Sequence, residues 1–131
     1  MYLLDTNICI YIINRHPQGI VKKVARYSPG DIKISAVSVA ELEYGASKSN
    51  YQEKNRNALK NFLSSFEIIP FDAGDAEIYG IIRAELERKG ESIGPYDMQL
   101  AAQALRRDYI FITNNTKEFE RIKNLKLENW V

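Results

Sequence analysis

Short apolar runs alternate along this chain with longer segments in which apolar residues recur every three or four positions. The short runs have the length of buried strands, and the longer segments have the periodicity of amphipathic helices. The predicted strands cover residues 2–5, 32–35, 67–71, 109–113 and 125–127. The predicted helices cover residues 8–13, 20–27, 38–47, 51–66, 97–107 and 116–119, and another that begins at Asp72 or Asp75 and ends at residue 89.

This alternation predicts one α/β domain that spans residues 1–131. A helix between two strands of the same sheet makes a right-handed crossover, which places the strands parallel. Successive crossovers cover both faces of the sheet. The predicted fold class is therefore a three-layer α/β/α sandwich with a mostly parallel central sheet.

Composition excludes several classes of protein and of site. The chain has 18 Lys and Arg residues against 17 Asp and Glu residues, which argues against a strongly basic nucleic-acid coat protein. The only histidine is His16 and the only cysteine is Cys9. A ribonuclease that uses two histidines and a zinc site built on Cys and His ligands are therefore excluded.

Two further features bear on where the protein acts. No run approaches the roughly 18 apolar residues of a membrane span. The sequence begins directly with a strand-like run and lacks the pattern of a secretory signal. We therefore expect a cytoplasmic protein without membrane contact.

Three acidic residues share one local setting, because each follows an apolar or turn segment and stands near the start of an amphipathic helix. They are Asp5 in YLLDTNICIYII, Glu41 in SAVSVAELEYGA and Asp97 in IGPYDMQLAAQAL. In a parallel sheet, strand carboxyl ends and helix N-termini share one edge, and ligands bind there. Carboxylates gathered there repel one another unless a cation lies between them, and their oxygens suit Mg²⁺ or Mn²⁺. These three residues are therefore the predicted metal ligands, and Mg²⁺ or Mn²⁺ is the expected cofactor.

Each acid also has a structural interpretation, which the sequence leaves open. The capping-box pattern occurs twice, at Ser38 with Glu41 and at Asn115 with Glu118. Asp97 fits the N-cap or the first turn of its helix.

Asp5 is harder to explain as a structural residue. It ends a strand whose other residues are predicted to be buried, and an unpaired carboxylate is costly to desolvate there. Glu43 competes with Glu41 for the second acidic position. Only an expected first-turn position favours Glu41.

Four segments, in this order, carry a resemblance to a known family: LLDTNICIYII, ISAVSVAELEYGA, YGIIRAELERKGESIGPYDMQLAAQAL and FITNNTKEFERIKNLKLENW. Together they resemble the PIN-domain nucleases, and specifically the VapC toxins of toxin–antitoxin modules. The resemblance spans nearly the whole chain and implies a PIN-like fold with Mg²⁺-dependent endoribonuclease activity. It also implies cleavage of tRNA in the anticodon stem-loop, with initiator tRNA as the leading candidate. A VapB-like antitoxin and a second copy of the chain are the implied partners.

The resemblance implies a catalytic quartet of Asp5, Glu41, Asp97 and a fourth residue near the C-terminal loop. Many PIN domains have an aspartate where this chain has Asn115, and Glu118 is the other candidate for the missing charge. The residues expected to position water or phosphate oxygens are Thr6, Asn7, Ser38 and Thr113.

An acidic pocket repels RNA, so basic residues around it are expected to steer the substrate. The candidates are Lys48, Lys54, Arg56, Arg83, Arg106, Arg107 and Lys117. The candidates for stacking on unpaired bases are Tyr11, Tyr44 and Tyr96.

Two other functions compete with the ribonuclease. The first is a nuclease-dead module that binds RNA or regulates, and the presence of all three acids argues against it. The second is a phosphohydrolase or phosphotransferase on a similar α/β sheet. That class usually needs a second aspartate close after the first, and the segment DTNIC lacks one.

Overall fold

The computed structural model describes all residues from 1 to 131, and its elements alternate as the sequence predicts. The strands are β1 (Tyr2–Leu4), β2 (Ile32–Ser35), β3 (Glu67–Ile69), β4 (Ile110–Ile112) and β5 (Lys126–Glu128). The helices are α1 (Thr6–Asn14), α2 (Gln18–Val24), α3 (Ala36–Lys48), α4 (Gln52–Leu63), α5 (Ala73–Arg88), α6 (Pro95–Arg107) and α7 (Thr116–Phe119). A 3-10 turn, Pro29–Asp31, precedes β2.

All five strands form one parallel sheet in the order β3-β2-β1-β4-β5. The chain builds the sheet outward from β1 to β3, then returns to add β4 on the other side of β1. The strand order therefore reverses between β1 and β4. In sheets of this kind the carboxyl edge at the reversal point opens a crevice that binds ligands.

Neighbouring residues of the two central strands point to opposite faces of the sheet, as the period of two requires. Leu3 and Phe111 join one buried cluster, with side chains from α5 and α6. Leu4 and Ile112 join the other, with side chains from α1, α2, α3 and α4. Helices therefore cover both faces, and the predicted three-layer α/β/α sandwich is confirmed.

The start of α5 is tied to the end of α6 by a network of charges. Asp72 caps α5 by accepting a hydrogen bond from the backbone of Asp75 at 3.0 Å, and Asp75 Oδ2 accepts one from the backbone of Asp72 at 3.0 Å. Asp75 is fully buried, and its Oδ1 also accepts from Arg107 Nη1 at 2.6 Å and from Arg106 Nη1 at 3.2 Å. Burial on its own raises the pKa of Asp75, but these donors outweigh it and hold the pKa below its ordinary value.

The C-terminus is held against the sheet by an aromatic cluster. The ring of Trp130 stacks on Tyr27 with centroids 4.5 Å apart, and Tyr2 packs against both rings. Trp130 Nε1 donates to Glu128 Oε1 at 2.8 Å. None of the helices combines the length and the apolar character that crossing a membrane requires.

Candidate active site

Asp5 lies at the carboxyl edge of the sheet, next to the point where the strand order reverses. It directly follows β1, and Thr113 directly follows the neighbouring strand β4. Thr113 Oγ1 donates a hydrogen bond to Asp5 Oδ2 at 2.8 Å and accepts one from the backbone N–H of Asn115 at 3.0 Å. The hydroxyl of Thr113 therefore orients the carboxylate of Asp5.

Asp5 occupies the N-cap position of α1, yet its side chain makes no capping hydrogen bond. It is only 4% exposed. Burial raises the pKa of Asp5 above its ordinary value, although the hydrogen bond from Thr113 opposes the shift. A buried carboxylate with no ion pair fits a functional position better than a structural one.

Ser35, the last residue of β2, caps α3, because its side chain accepts from the backbone of Val37 at 3.0 Å. The prediction that Ser38 caps this helix is therefore wrong, since α3 begins at Ala36. The expected first-turn position of Glu41 is also wrong, because this residue lies in the second turn. No capping box joins Ser38 to Glu41.

Glu41 is held by a chain of hydroxyl groups instead. Thr6 Oγ1 donates to Glu41 Oε1 at 2.8 Å and lies 2.9 Å from Ser38 Oγ. Because the single hydroxyl hydrogen of Thr6 goes to the carboxylate, Ser38 is the donor in the second contact. Glu43 points to solvent and lines no part of the site, so the structure places Glu41 there and not Glu43.

Asp97 stands in the first turn of α6, whose N-cap is Gly94 and whose first residue is Pro95. The N-cap interpretation of Asp97 is therefore wrong. Its carboxylate has no hydrogen bond and no ion pair in the structure. Burial raises the pKa of Asp97 to about 6, with further contributions from Asp5, Glu118 and Glu41.

Asp5, Glu41 and Asp97 line one cavity of about 1310 Å³. Thr6 and Asn7 line it as well. Ser38 and Thr113 are buried and act on the site through their hydrogen bonds to Thr6 and Asp5. These predicted site residues therefore come together at one edge, although they lie far apart in sequence.

The candidates for the fourth position, Asn115 and Glu118, stand outside the cavity lining but near the acids. Asn115 makes no capping hydrogen bond at the start of α7, so the predicted capping box is wrong. Its Nδ2 instead donates to Glu118 Oε2 at 2.8 Å. Glu118 raises the pKa of Asp97 through its charge, so it contributes to the same electrostatic field.

The donor set fits a hard divalent cation in chemistry and charge. It consists of oxygen atoms, and the lining contains Asp5, Glu41 and Asp97 against one positive side chain, Lys48. No group of three or more acidic, histidine or cysteine side chains is arranged to hold a metal ion directly, however. Mg²⁺ commonly keeps several waters and contacts one or two carboxylates. The structure therefore fits a partly hydrated ion better than one held by three direct carboxylate ligands.

Replacing Asp97 by asparagine is expected to stabilise the metal-free protein at neutral pH. The folded-state pKa of Asp97 is about 6, above its ordinary value of 3.8, so the ionised carboxylate opposes folding as the pH rises through this range. In EDTA the variant should match wild type near pH 4 and exceed it by about 1–2 kcal/mol above pH 7, after allowance for solvent screening. Urea unfolding at several pH values measures this difference. A variant less stable than wild type would instead indicate a structural role for the carboxylate.

Several of the basic residues predicted to steer RNA instead make contacts within the fold, away from the cavity. Arg83 pairs with Glu87 at 2.9 Å, and Arg106 and Arg107 bind the aspartates at the start of α5. None of the three lines the cavity. Arg56 donates to Ser47 at 2.8 Å. Of the predicted residues, Lys48 therefore remains the best candidate for steering RNA to the cavity.

Part of the cavity wall consists of residues that the sequence did not single out. They are Ile10, Ala36, Val37, Ala40, Gly45, Pro70, Phe71 and Gln99. Pro70 and Phe71 directly follow β3, which ends at Ile69, two residues before the predicted end of this strand. Gln99 follows Asp97 on α6, and its spacing carried no signal of a site.

The family model described as PIN domain matches residues 2–125. The chain belongs to the PIN-domain family. Membership, together with relatives named ribonuclease or endonuclease, makes it a nuclease by class. The chain is 47% identical to ribonuclease VapC2 of Rickettsia felis, over 99% of this chain and 98% of the relative. It is 41% identical to the tRNA(fMet)-specific endonuclease VapC of Shigella flexneri, over 98% and 97%.

A solved structure of a PIN-domain relative has the same fold throughout. The crystal structure of VapBC2 from Rickettsia felis, bound to a DNA fragment from its promoter, contains a chain with a TM-score of 0.93 to this one. The two are 46% identical, and the match covers 99% of this chain and 98% of that one.

Proposed function

We propose that this PIN-domain protein is a Mg²⁺-dependent endoribonuclease and the toxin of a VapBC-type toxin–antitoxin module. The observation that carries this proposal is the meeting of Asp5, Glu41 and Asp97 in one cavity, where Asp97 has no partner. Carboxylates gathered in this way raise one another's pKa, and a bound cation would relieve their repulsion.

Asp5 and Asp97 would hold the ion directly, and Glu41 would reach it through water. When bound, Mg²⁺ lowers the pKa of a coordinated water and offsets negative charge on phosphate oxygens. The hydroxyl of Thr6 keeps one oxygen of Glu41 fixed, so the other is free to accept a proton from water. The hydroxyl of Thr113 holds Oδ2 of Asp5 in place.

The proposed substrate is tRNA, cut in the anticodon stem-loop, with initiator tRNA as the first candidate. Support comes from relatives named tRNA(fMet)-specific endonuclease in Shigella flexneri and Salmonella typhimurium, at 41% and 40% identity. Hydrolysis by water needs no ribose 2′-hydroxyl, so preference for RNA would come from the shape of an exposed loop.

We also propose a VapB-like antitoxin as partner and a homodimer as the solution state. The structural neighbours that support the antitoxin are described as VapBC complexes from Rickettsia felis and Salmonella typhimurium. Light scattering of the isolated chain measures whether a homodimer forms.

Incubation of the purified chain with total tRNA, in Mg²⁺ and in EDTA, tests the proposed activity. We expect cleavage in Mg²⁺ only, at one position of one or a few tRNAs, with a 5′-phosphate and a 3′-hydroxyl at the cut. Sequencing of the product ends identifies the substrate and the position. Binding of tRNA without cleavage in any divalent ion would favour the nuclease-dead alternative.

A further inference from the structure

The cavity that contains the acids is larger than a metal site needs, and much of its wall is aromatic or apolar. Its volume of about 1310 Å³ exceeds the roughly 300–1,000 Å³ of typical small-molecule pockets. Three aromatic residues line it, Tyr44, Phe71 and Tyr96. A site of this size and lining suits several units of a polymer better than one small molecule.

Tyr44 and Tyr96 are not part of the core. Their exposed fractions are 66% and 58%. Neither hydroxyl makes a hydrogen bond, and neither ring packs against another aromatic ring. Tyr11, in contrast, is half-buried, and its hydroxyl accepts a hydrogen bond from Asn114 at 3.0 Å. Of the three predicted stacking residues, only Tyr44 and Tyr96 therefore present exposed rings to the cavity.

Each exposed ring stands beside one of the acids. Tyr44 follows Glu41 by three positions on α3, which places both on one face, about 4.5 Å apart along the helix axis. Tyr96 directly precedes Asp97 in the first turn of α6. The two rings therefore approach the acidic site from two different helices.

Lys48 continues the same face of α3, one turn beyond Tyr44. Its Nζ lies 4.9 Å from the centroid of the Tyr44 ring. It is the only lysine or arginine in the lining. A cation held over an aromatic ring, beside an acidic site, is placed to bind the phosphate backbone of a strand whose bases stack on such rings.

We propose that Tyr44 and Tyr96 stack on unpaired bases that flank the scissile phosphate, and that Lys48 binds the adjoining backbone. This inference rests on the proposed ribonuclease function. It also explains why the substrate would be single-stranded at the cleavage site. A ring stacks on a base only when that base has left its own stack, so paired RNA cannot use this surface. The two tyrosines therefore select loops over stems.

Equilibrium binding of a short RNA hairpin with an unpaired loop tests the proposal, in an Asp5→Asn background that prevents cleavage. Tyr44→Ala and Tyr96→Ala should each weaken binding by roughly 5- to 150-fold, which is the loss of one stacked base. Tyr44→Phe and Tyr96→Phe, which keep the ring, should bind within about twofold of the background. The matched control is Tyr51→Ala, because Tyr51 is 71% exposed but does not line the cavity.

A fluorescent base in the loop reports stacking directly. A 2-aminopurine loop base should be quenched on binding to the background protein and much less quenched by the alanine variants. Lys48→Ala should weaken binding and lower the slope of log Kd against log salt by about one ion. Lys126→Ala should leave that slope unchanged, because Lys126 begins β5 at the opposite edge of the sheet and does not line the cavity. Binding of a blunt RNA duplex should respond to neither tyrosine substitution.

The inference is overturned if both alanine variants bind the hairpin with the affinity of the background protein. That outcome would favour a protein partner as the ligand of the two rings. The inference is also overturned if Tyr51→Ala weakens binding equally. If Tyr44→Ala and Tyr96→Ala cleave tRNA at the wild-type rate, the stacking role is contradicted but the proposed ribonuclease activity is supported. If loop-specific binding depends on the tyrosines but no Mg²⁺-dependent cleavage occurs, the stacking role is supported and the proposed ribonuclease activity is contradicted.

Discussion

Replacing Asp5 or Asp97 by asparagine is expected to lower the rate of tRNA cleavage by about 10²- to 10⁴-fold. A divalent ion supplies several kcal/mol of transition-state stabilisation, and each 1.4 kcal/mol is roughly a factor of ten in rate. Asparagine keeps the shape of the side chain but removes the charge that holds the ion. The hydroxyl of Thr113 remains to orient the amide at position 5, so the fold around it should persist.

Initial rates with total tRNA at saturating Mg²⁺ measure this effect. The control is Glu43→Gln, which removes a neighbouring charge from the same helix without touching the cavity. It should cleave within about twofold of wild type, since its carboxylate is exposed and screened. A rate in Asp97→Asn equal to that of the control would contradict the assignment of the acidic cavity as the active site.

Replacing Asp75 by alanine is expected to lower the free energy of unfolding by about 2–4 kcal/mol. Asp75 is fully buried and receives hydrogen bonds from Arg106, Arg107 and the backbone of Asp72. Its removal leaves Arg106 and Arg107 with only Asp72, which is half-exposed, as a partner and breaks the capping box of α5. Urea unfolding, followed by the fluorescence of the single buried tryptophan Trp130, measures the loss.

Glu85→Ala is the matched control for Asp75, because Glu85 pairs with Lys89 on the exposed side of α5 at 3.2 Å. Its effect should stay below about 0.5 kcal/mol. The pKa of Asp75 is lowered in the folded state, so its contribution is present above the ordinary value and is lost as the pH falls below it. A loss in Asp75→Ala no larger than in the control would mean that the network does not hold α5 to α6.

The sequence predicts the layers and the parallel sheet well, because hydrophobic periodicity reflects burial directly. Leu3 and Leu4 are adjacent and both fully buried, which requires both faces of the sheet to be covered, here by helices. The sequence does not predict the order of the strands in the sheet. That β1 pairs with β4, and so brings Thr113 to Asp5, depends on packing between elements more than a hundred residues apart.

Local capping was the weakest prediction, because competing residues fit the same pattern. Ser35 and Ser38 both precede Glu41, and the end of β2 decides that Ser35 caps the helix. Gly94 and Pro95 start α6 early, which places Asp97 inside the first turn. These small shifts remove the capping role of Glu41 and of Asp97 and leave both carboxylates in the lining of the cavity.

The sequence does not distinguish basic residues that would bind RNA from those that pair with acids of the fold, because it does not show which acids lie nearby. Arg106 and Arg107 look like candidates for binding RNA until the fold places Asp72 and Asp75 against them. Lys48 was one of seven candidates, and only the geometry of α3 places it beside Tyr44 at the cavity.

Calorimetric titration of the isolated protein with Mg²⁺, with Mn²⁺ as a second probe, tests most directly whether Asp5 and Asp97 share one cation. We predict saturable binding by wild type and by Glu43→Gln. Asp5→Asn and Asp97→Asn should each weaken binding by more than about tenfold, because loss of a direct ligand exceeds the effect of a supporting hydrogen bond. Equal affinity in wild type and in both acid variants would contradict a metal site between these two carboxylates.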